Sequence, residues 1–223
     1  MGWFTRFTRF GDMHLVYSQE GVNACGIACV RMVTFKVNKL TPGRSALHSE
    51  TELDQVYSKV SNTSYDGTAY TYANHLATTL GQLCSGTWSA SDVGSAGVSE
   101  AIFDSVVRRG DPLIVLVGWS GGAGAHFVVV DTVRQWGSQL YASVCDPWDG
   151  DVHVTRFARG SPFAYTAEDQ SIGHVPAGAS PVRAVLANIA AGRASWSSGA
   201  SEHDYASGAS AGSANGWVVR RTA

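Results

Sequence analysis

The chain has 223 residues, 44% hydrophobic and 15% charged, with a formal net charge of −2. That length suits one buried core or two small lobes, and a near-neutral charge supplies no field that would gather nucleic acid. No stretch approaches the roughly 18 apolar residues of a membrane span or forms the apolar core of a signal peptide, and Arg6 stands where a myristoylation pattern needs Ser or Thr. A soluble protein follows as an expectation, cytoplasmic or delivered by a non-classical route, without a nucleic-acid partner or a membrane span.

In chain order, the first strong element lies in "SQEGVNACGIACVRMV", residues 18–33. Small and apolar residues without proline over 24–35, with Asn23 as a cap, predict a buried helix whose first turn holds Cys25. "SETELDQVYSKV" predicts a second helix, with Ser49 and Glu52 forming a capping box and Leu53, Val56, Tyr57 and Val60 on one face. "TAYTYANHLATTLG" reads as a third helix ended by Gly81, and "VSEAIFDSVVRRG" as a fourth with Gly110 beyond it. After Pro112 the runs 113–119, 126–135, 139–147 and 152–157 are β-branched and aromatic, and the turn at Gly137 makes the second and third antiparallel neighbours. From about Ala190 the chain is rich in Gly, Ala and Ser, which predicts a flexible tail over 190–223.

Four cysteines in a chain of this size, without a secretory signal, read as free thiols. Cys25 and Cys29 would stack on one helix face, which is poor disulfide geometry. A thiol at a helix N-terminus feels the positive end of the helix dipole, which favours the thiolate. A thiolate nucleophile needs a general acid and base, usually a histidine oriented by a third polar group. His126 opens one strand and Asp146 ends its neighbour, so the two can meet at one sheet edge. Gln19 and the Cys25 N–H are placed to stabilise an oxyanion, and Gly121, Gly122 and Gly124 leave room for a substrate backbone.

"SQEGVNACGIACVRMV", "GAGAHFVVVDTV" and "VCDPWDGDVH" together resemble the glutamine-to-cysteine block, the histidine strand and the Asp-Pro block of papain-like cysteine peptidases. The style is that of the compact bacterial branch, which includes bacteriocin-processing peptidase domains and effector proteases delivered into host cells. The resemblance implies an α+β papain-like fold over residues 1–189, with a helical part at about 19–110 packed on an antiparallel sheet part at about 111–189. It implies Cys25 as nucleophile, His126 as acid and base, Asp146 as orienting residue and Gln19 in the oxyanion hole. A protein or peptide substrate is the expected partner, no cofactor or metal is required, and no oligomeric state is assigned. The same residues would serve a transglutaminase-like or deamidating enzyme, and an idle peptide-binding module is a third reading. The setting around Cys25 and the short interval to His126 depart from papain's own.

Cys29, Cys84 and Cys145 read as core residues. His14, His48, His75, His153, His174 and His203 read as surface or structural residues. Trp119 and Trp148 flank the histidine and aspartate blocks and suit cleft or core equally.

Overall fold

A computed structural model describes residues 2–118, 124–166 and 211–223 of the chain. Among them are four α-helices and antiparallel sheets, an α+β arrangement. Strands β1 (Gly2–Phe7) and β2 (Met13–Ser18) form a hairpin, in register Arg6 opposite His14 and Phe4 opposite Val16. Its turn is closed by Gly11 at a left-handed φ of 81°, with the Gly11 N–H donating to the Thr8 carbonyl at 2.9 Å.

Helix α1 (Cys25–Asn38) is buried along most of its length, as an apolar sequence without proline requires. Helix α2 (Glu50–Ser61) begins at the expected capping box, in which the Ser49 side chain accepts from the Glu52 N–H and the Glu52 carboxylate accepts from the Ser49 N–H. Asn62 ends α2 in the left-handed conformation. Helix α3 (Ala73–Leu83) starts later than expected and runs through Gly81, since the φ that a terminating glycine would need is not used there. Strand β3 (Trp88–Asp92) follows, then α4 (Gly94–Ile102), whose continuation Phe103–Arg108 widens into a π-helical turn ended by Gly110 at φ 72°.

The expected strands are β4 (Leu113–Gly118), β5 (Ala125–Trp136), β6 (Gln139–Asp146) and β7 (Asp151–Phe157), joined by the short β8 (Ala164–Thr166). Trp119, Gly121 and Gly122 lie outside the described residues. The predicted tail is corrected over its last part. Residues Ala211–Arg221 form β9, which runs between β3 and β4 inside a seven-stranded sheet of order β3-β9-β4-β5-β6-β7, with β8 also on β9. "GWVVRR" carries the β-branched pair Val218 and Val219, both buried, and Ala214 fits where strands crowd. The glycine- and serine-rich composition around this segment masks its strand character; residues 190–210 lie outside the described residues. Strand β3 also places a sheet element inside the stretch expected to be helical.

The main sheet separates two apolar clusters. On one face Phe127, Val129 and Cys145 pack with α1, α2 and α3 through Ile27, Cys29, Val33, Tyr57 and Leu76. On the other Val128, Val130 and Val144 pack with Val98 and Ile102 of α4 and with Tyr165 of β8. This alternation is the period of two of a strand buried on both faces. It puts His126 on the face of Val128 and Asp146 on the face of Val144.

Candidate active site

Strands β5 and β6 are antiparallel, so the start of β5 and the end of β6 lie at one end of the sheet. His126 Nε2 donates to Asp146 Oδ1 there at 2.7 Å, with both side chains buried. Cys25, partly exposed at the first position of α1, shares a hydrogen bond with His126. Because Nε2 is committed to Asp146, Nδ1 is the ring atom that faces the thiol. Cys25, His126 and Asp146 are therefore brought together in the expected order.

Burial acts to strip the proton from His126, but the Asp146 charge and hydrogen bond, with a contribution from Cys25, prevail and lift its pKa to about 10. An imidazolium is the form this setting favours at neutral pH. Asp146 is held at both oxygens, for the Trp148 N–H donates to Oδ1 at 2.7 Å and the Tyr165 hydroxyl donates to Oδ2 at 2.7 Å. The indole of Trp148 meets the His126 ring edge to face at 6.4 Å between centroids.

The loop before α1 is fixed by backbone contacts. The Gln19 N–H donates to the Pro147 carbonyl at 2.8 Å, tying this loop to the turn after Asp146. Gly21 lies so close to Gly67 that a Cβ would sit 2.7 Å from the Gly67 carbonyl oxygen, and a Cβ on Gly26 would collide with the Thr71 hydroxyl. Glycine is required at both positions by close approach rather than by φ.

Two details differ from expectation. Asn23 does not cap α1; its Nδ2 donates to the Thr68 carbonyl at 2.5 Å, and the N-cap residue is Ala24, with no side-chain bond among the described residues. The first-turn amides of Cys25, Gly26 and Ile27 thus have no intrahelical acceptor. Gln19 is fully buried beside the site, yet Nε2 donates to the Gly21 and Val22 carbonyls at 2.7 and 3.0 Å, while Oε1 has no partner among the described residues. Its amide hydrogens shape the loop rather than point toward an oxyanion, which leaves the first-turn amides as the donors nearest the thiol.

The remaining cysteines are buried, as expected. Burial pushes the Cys145 thiol up to about 12 and the Cys29 thiol well above its ordinary value, and it also raises Cys84. Cys145 nonetheless belongs to a second His-Asp-Cys group, for ligand atoms of His14, Asp131 and Cys145 lie within 4.8 Å of one another. These are the residue types of a Cys-His-Asp triad or of a metal site. Asp131 occupies a bulge in β5, between Val130 and Thr132, that turns it toward α1 and β2. There its Oδ2 accepts from His14 Nδ1 at 2.6 Å and from Lys36 Nζ at 2.5 Å. The Lys36 ammonium lies against the oxygen that would bind a cation, and the Asp131 hydrogen bond uses the His14 nitrogen nearest the thiol.

Sequence reasoning missed a third buried set beside Asp146. His153 Nε2 donates to Asp149 Oδ2 at 2.9 Å, and Arg6 Nε lies 3.2 Å from Asp151 Oδ1. Burial opposes the charge on His153, but Asp149, followed by Asp151 and Asp146, lifts its pKa to about 9. The aspartates of "DPWDGD" were the available signal, while Tyr165 carries none, standing about twenty residues downstream in a short strand. No helix among the described residues is long and apolar enough to cross a membrane.

No protein-family model matches the chain, and no curated protein matches it in sequence.

Proposed function

We propose that the chain is a papain-like cysteine peptidase that hydrolyses peptide bonds through Cys25, His126 and Asp146. The observation that carries this reading is the relay itself: a partly exposed thiol at a helix start hydrogen-bonds a buried histidine whose other nitrogen donates to a buried carboxylate. His126 takes the Cys25 proton, giving a thiolate–imidazolium pair favoured by the helix dipole and by Asp146. The thiolate attacks the peptide carbonyl carbon and forms a C–S bond, and the oxyanion is met by the Cys25 N–H with the neighbouring first-turn amides. Collapse breaks the C–N bond as His126 protonates the leaving amine. Water then gives a proton to His126 as its oxygen attacks the thioester, and the C–S bond breaks to restore the thiolate. Asp146 orients the ring throughout, and Gln19 supports the loop that presents the helix start.

The test is a comparison of protein N-termini in a proteome incubated with the wild-type chain or with Cys25→Ala. New N-termini sharing a sequence preference, absent with the variant, are expected. Identical N-termini in both, together with ammonia release or cross-linking that depends on Cys25, would move the assignment to a deamidating or acyl-transferring enzyme.

A further inference from the structure

The proposed relay ends at Asp146, but the structure continues past it to Tyr165. We infer that Tyr165 is a positioning residue: its hydroxyl, reaching Asp146 from β8, holds the carboxylate in line with His126. This rests on the peptidase reading for its consequence in catalysis, though not for the bond itself.

The carboxylate accepts at Oδ1 from His126 Nε2 and from the Trp148 N–H, and at Oδ2 from the Tyr165 hydroxyl. The first two donors share one oxygen, and the phenol holds the other, so it resists rotation about the Cβ–Cγ bond. Asp146 is fully buried, so removing the phenol takes a donor from a carboxylate oxygen that bulk water does not reach. A hydrogen bond given to a carboxylate also favours its ionised form, and only the ionised form supports an imidazolium at His126.

The tyrosine is itself held on two sides. Its ring meets His153 edge to face at 5.7 Å between centroids, and β8 is paired to β9, with Tyr165 opposite Gly212. The strand expected to be tail thus carries the element that steadies the third member of the relay. Other titratable groups feel the Asp146 charge: His126 on β5, Asp149 in the following turn and His153 on β7, with Cys29 and Cys145 on the other face of the sheet, while Asp151 stands opposite Asp146 in the β6–β7 register. Four of these, Cys29, Cys145, Asp149 and Asp151, are acids or thiols buried near it, which disfavours the Asp146 charge further once a donor is lost.

Tyr165→Phe keeps the ring against His153 and removes only the donor. With aspartate carboxyls labelled with carbon-13, the full-length wild type and Tyr165→Phe are titrated by NMR, with Asp146 assigned through Asp146→Asn. The Asp146 carboxyl is expected to titrate about one pH unit higher in Tyr165→Phe. Alkylation of Cys25 by iodoacetamide near pH 6 should fall about tenfold, with no further fall when Tyr165→Phe is added to Asp146→Ala. An unmoved Asp146 titration with a lowered melting temperature would overturn the inference and leave Tyr165 a packing residue. A moved titration in a protein that cleaves no peptide would uphold the Tyr165–Asp146 coupling while removing the peptidase reading.

Discussion

Two groups of the same three residue types share strands β5 and β6 and differ in the third element, α1 for Cys25 and β2 for His14, and they differ in exposure and charge. Cys25, His126 and Asp146 meet at the end of the sheet where β5 begins, whereas His14, Asp131 and Cys145 meet at the β5 bulge on the sheet face packed against α1. In the first, the thiol lies at a helix start, partly exposed, and the aspartate charge is spent on a histidine. In the second, the thiol is fully buried and pushed up to about 12, and the aspartate is shared with the Lys36 ammonium, which neutralises it. Residue types alone do not favour a nucleophile; exposure and a helix terminus do.

The largest expected difference is catalytic. Cys25→Ala should lower the peptide-cleavage rate by about 10⁴-fold or more, measured by single-turnover cleavage of a substrate found by N-terminal profiling. Cys145→Ala should leave that rate within about a factor of two while costing about 1–2 kcal/mol in urea unfolding. If both substitutions abolish cleavage in folded protein, the distinction between the groups fails.

Asp146→Asn keeps the shape of the relay but removes the charge behind His126, so kcat should fall by about 10²- to 10⁴-fold with the fold retained. The counterpart in the second group is Lys36→Met, which leaves the partly buried Asp131 with His14 as its remaining partner. That change is expected to cost about 1–3 kcal/mol of stability, read by denaturant unfolding, with kcat of the remaining folded protein unchanged.

The dependence on pH separates the groups further. His126 and His153 have folded pKa values of about 10 and about 9, above the ordinary histidine value. Their stabilising contribution is therefore complete below about pH 6.5 and is lost as pH rises through those folded values. Asp131 is held well below the carboxylate range, burial being outweighed by Lys36 and His14. Its contribution is present above about pH 4 and is lost as pH falls below that. Unfolding free energy should accordingly decline between about pH 6.5 and 10, and the alkaline part of that decline should shrink in His153→Gln. A stability flat across that interval would contradict the ion pairing assigned to both histidines.

Much of the site was legible because its signals are local and ordered along the chain. Cys25 follows Gln19 at the opening of an apolar helix, His126 opens a β-branched run, and Asp146 closes its neighbour across the turn at Gly137. Pairing those runs is enough to bring the histidine and aspartate to one edge. The capping box at Ser49 and Glu52 was equally explicit because its two hydrogen bonds lie within one turn. What sequence could not reveal depends on distant contacts. Asn23 has the chemistry of a cap, but Thr68 offers it another acceptor forty-five residues away. Gln19 has free amide hydrogens on paper, and its own loop uses them. Strand β9 is a short apolar run after a long polar one, and only the open edges of β3 and β4 make it a strand. The pairing of Asp131 with Lys36 and His14 arises from a bulge that no local pattern marks.

The most direct test is the alkylation rate of each cysteine against pH, resolved by peptide mapping of the folded chain treated with trace iodoacetamide. Cys25 should react fastest by at least about tenfold and keep reacting below pH 7, as a thiolate paired with His126 would. Cys29, Cys84 and Cys145 should stay unreactive until the protein unfolds. Equal rates at Cys25 and Cys145, or a Cys25 rate that rises only near the pH of an ordinary thiol, would contradict the assignment of Cys25 as the nucleophile.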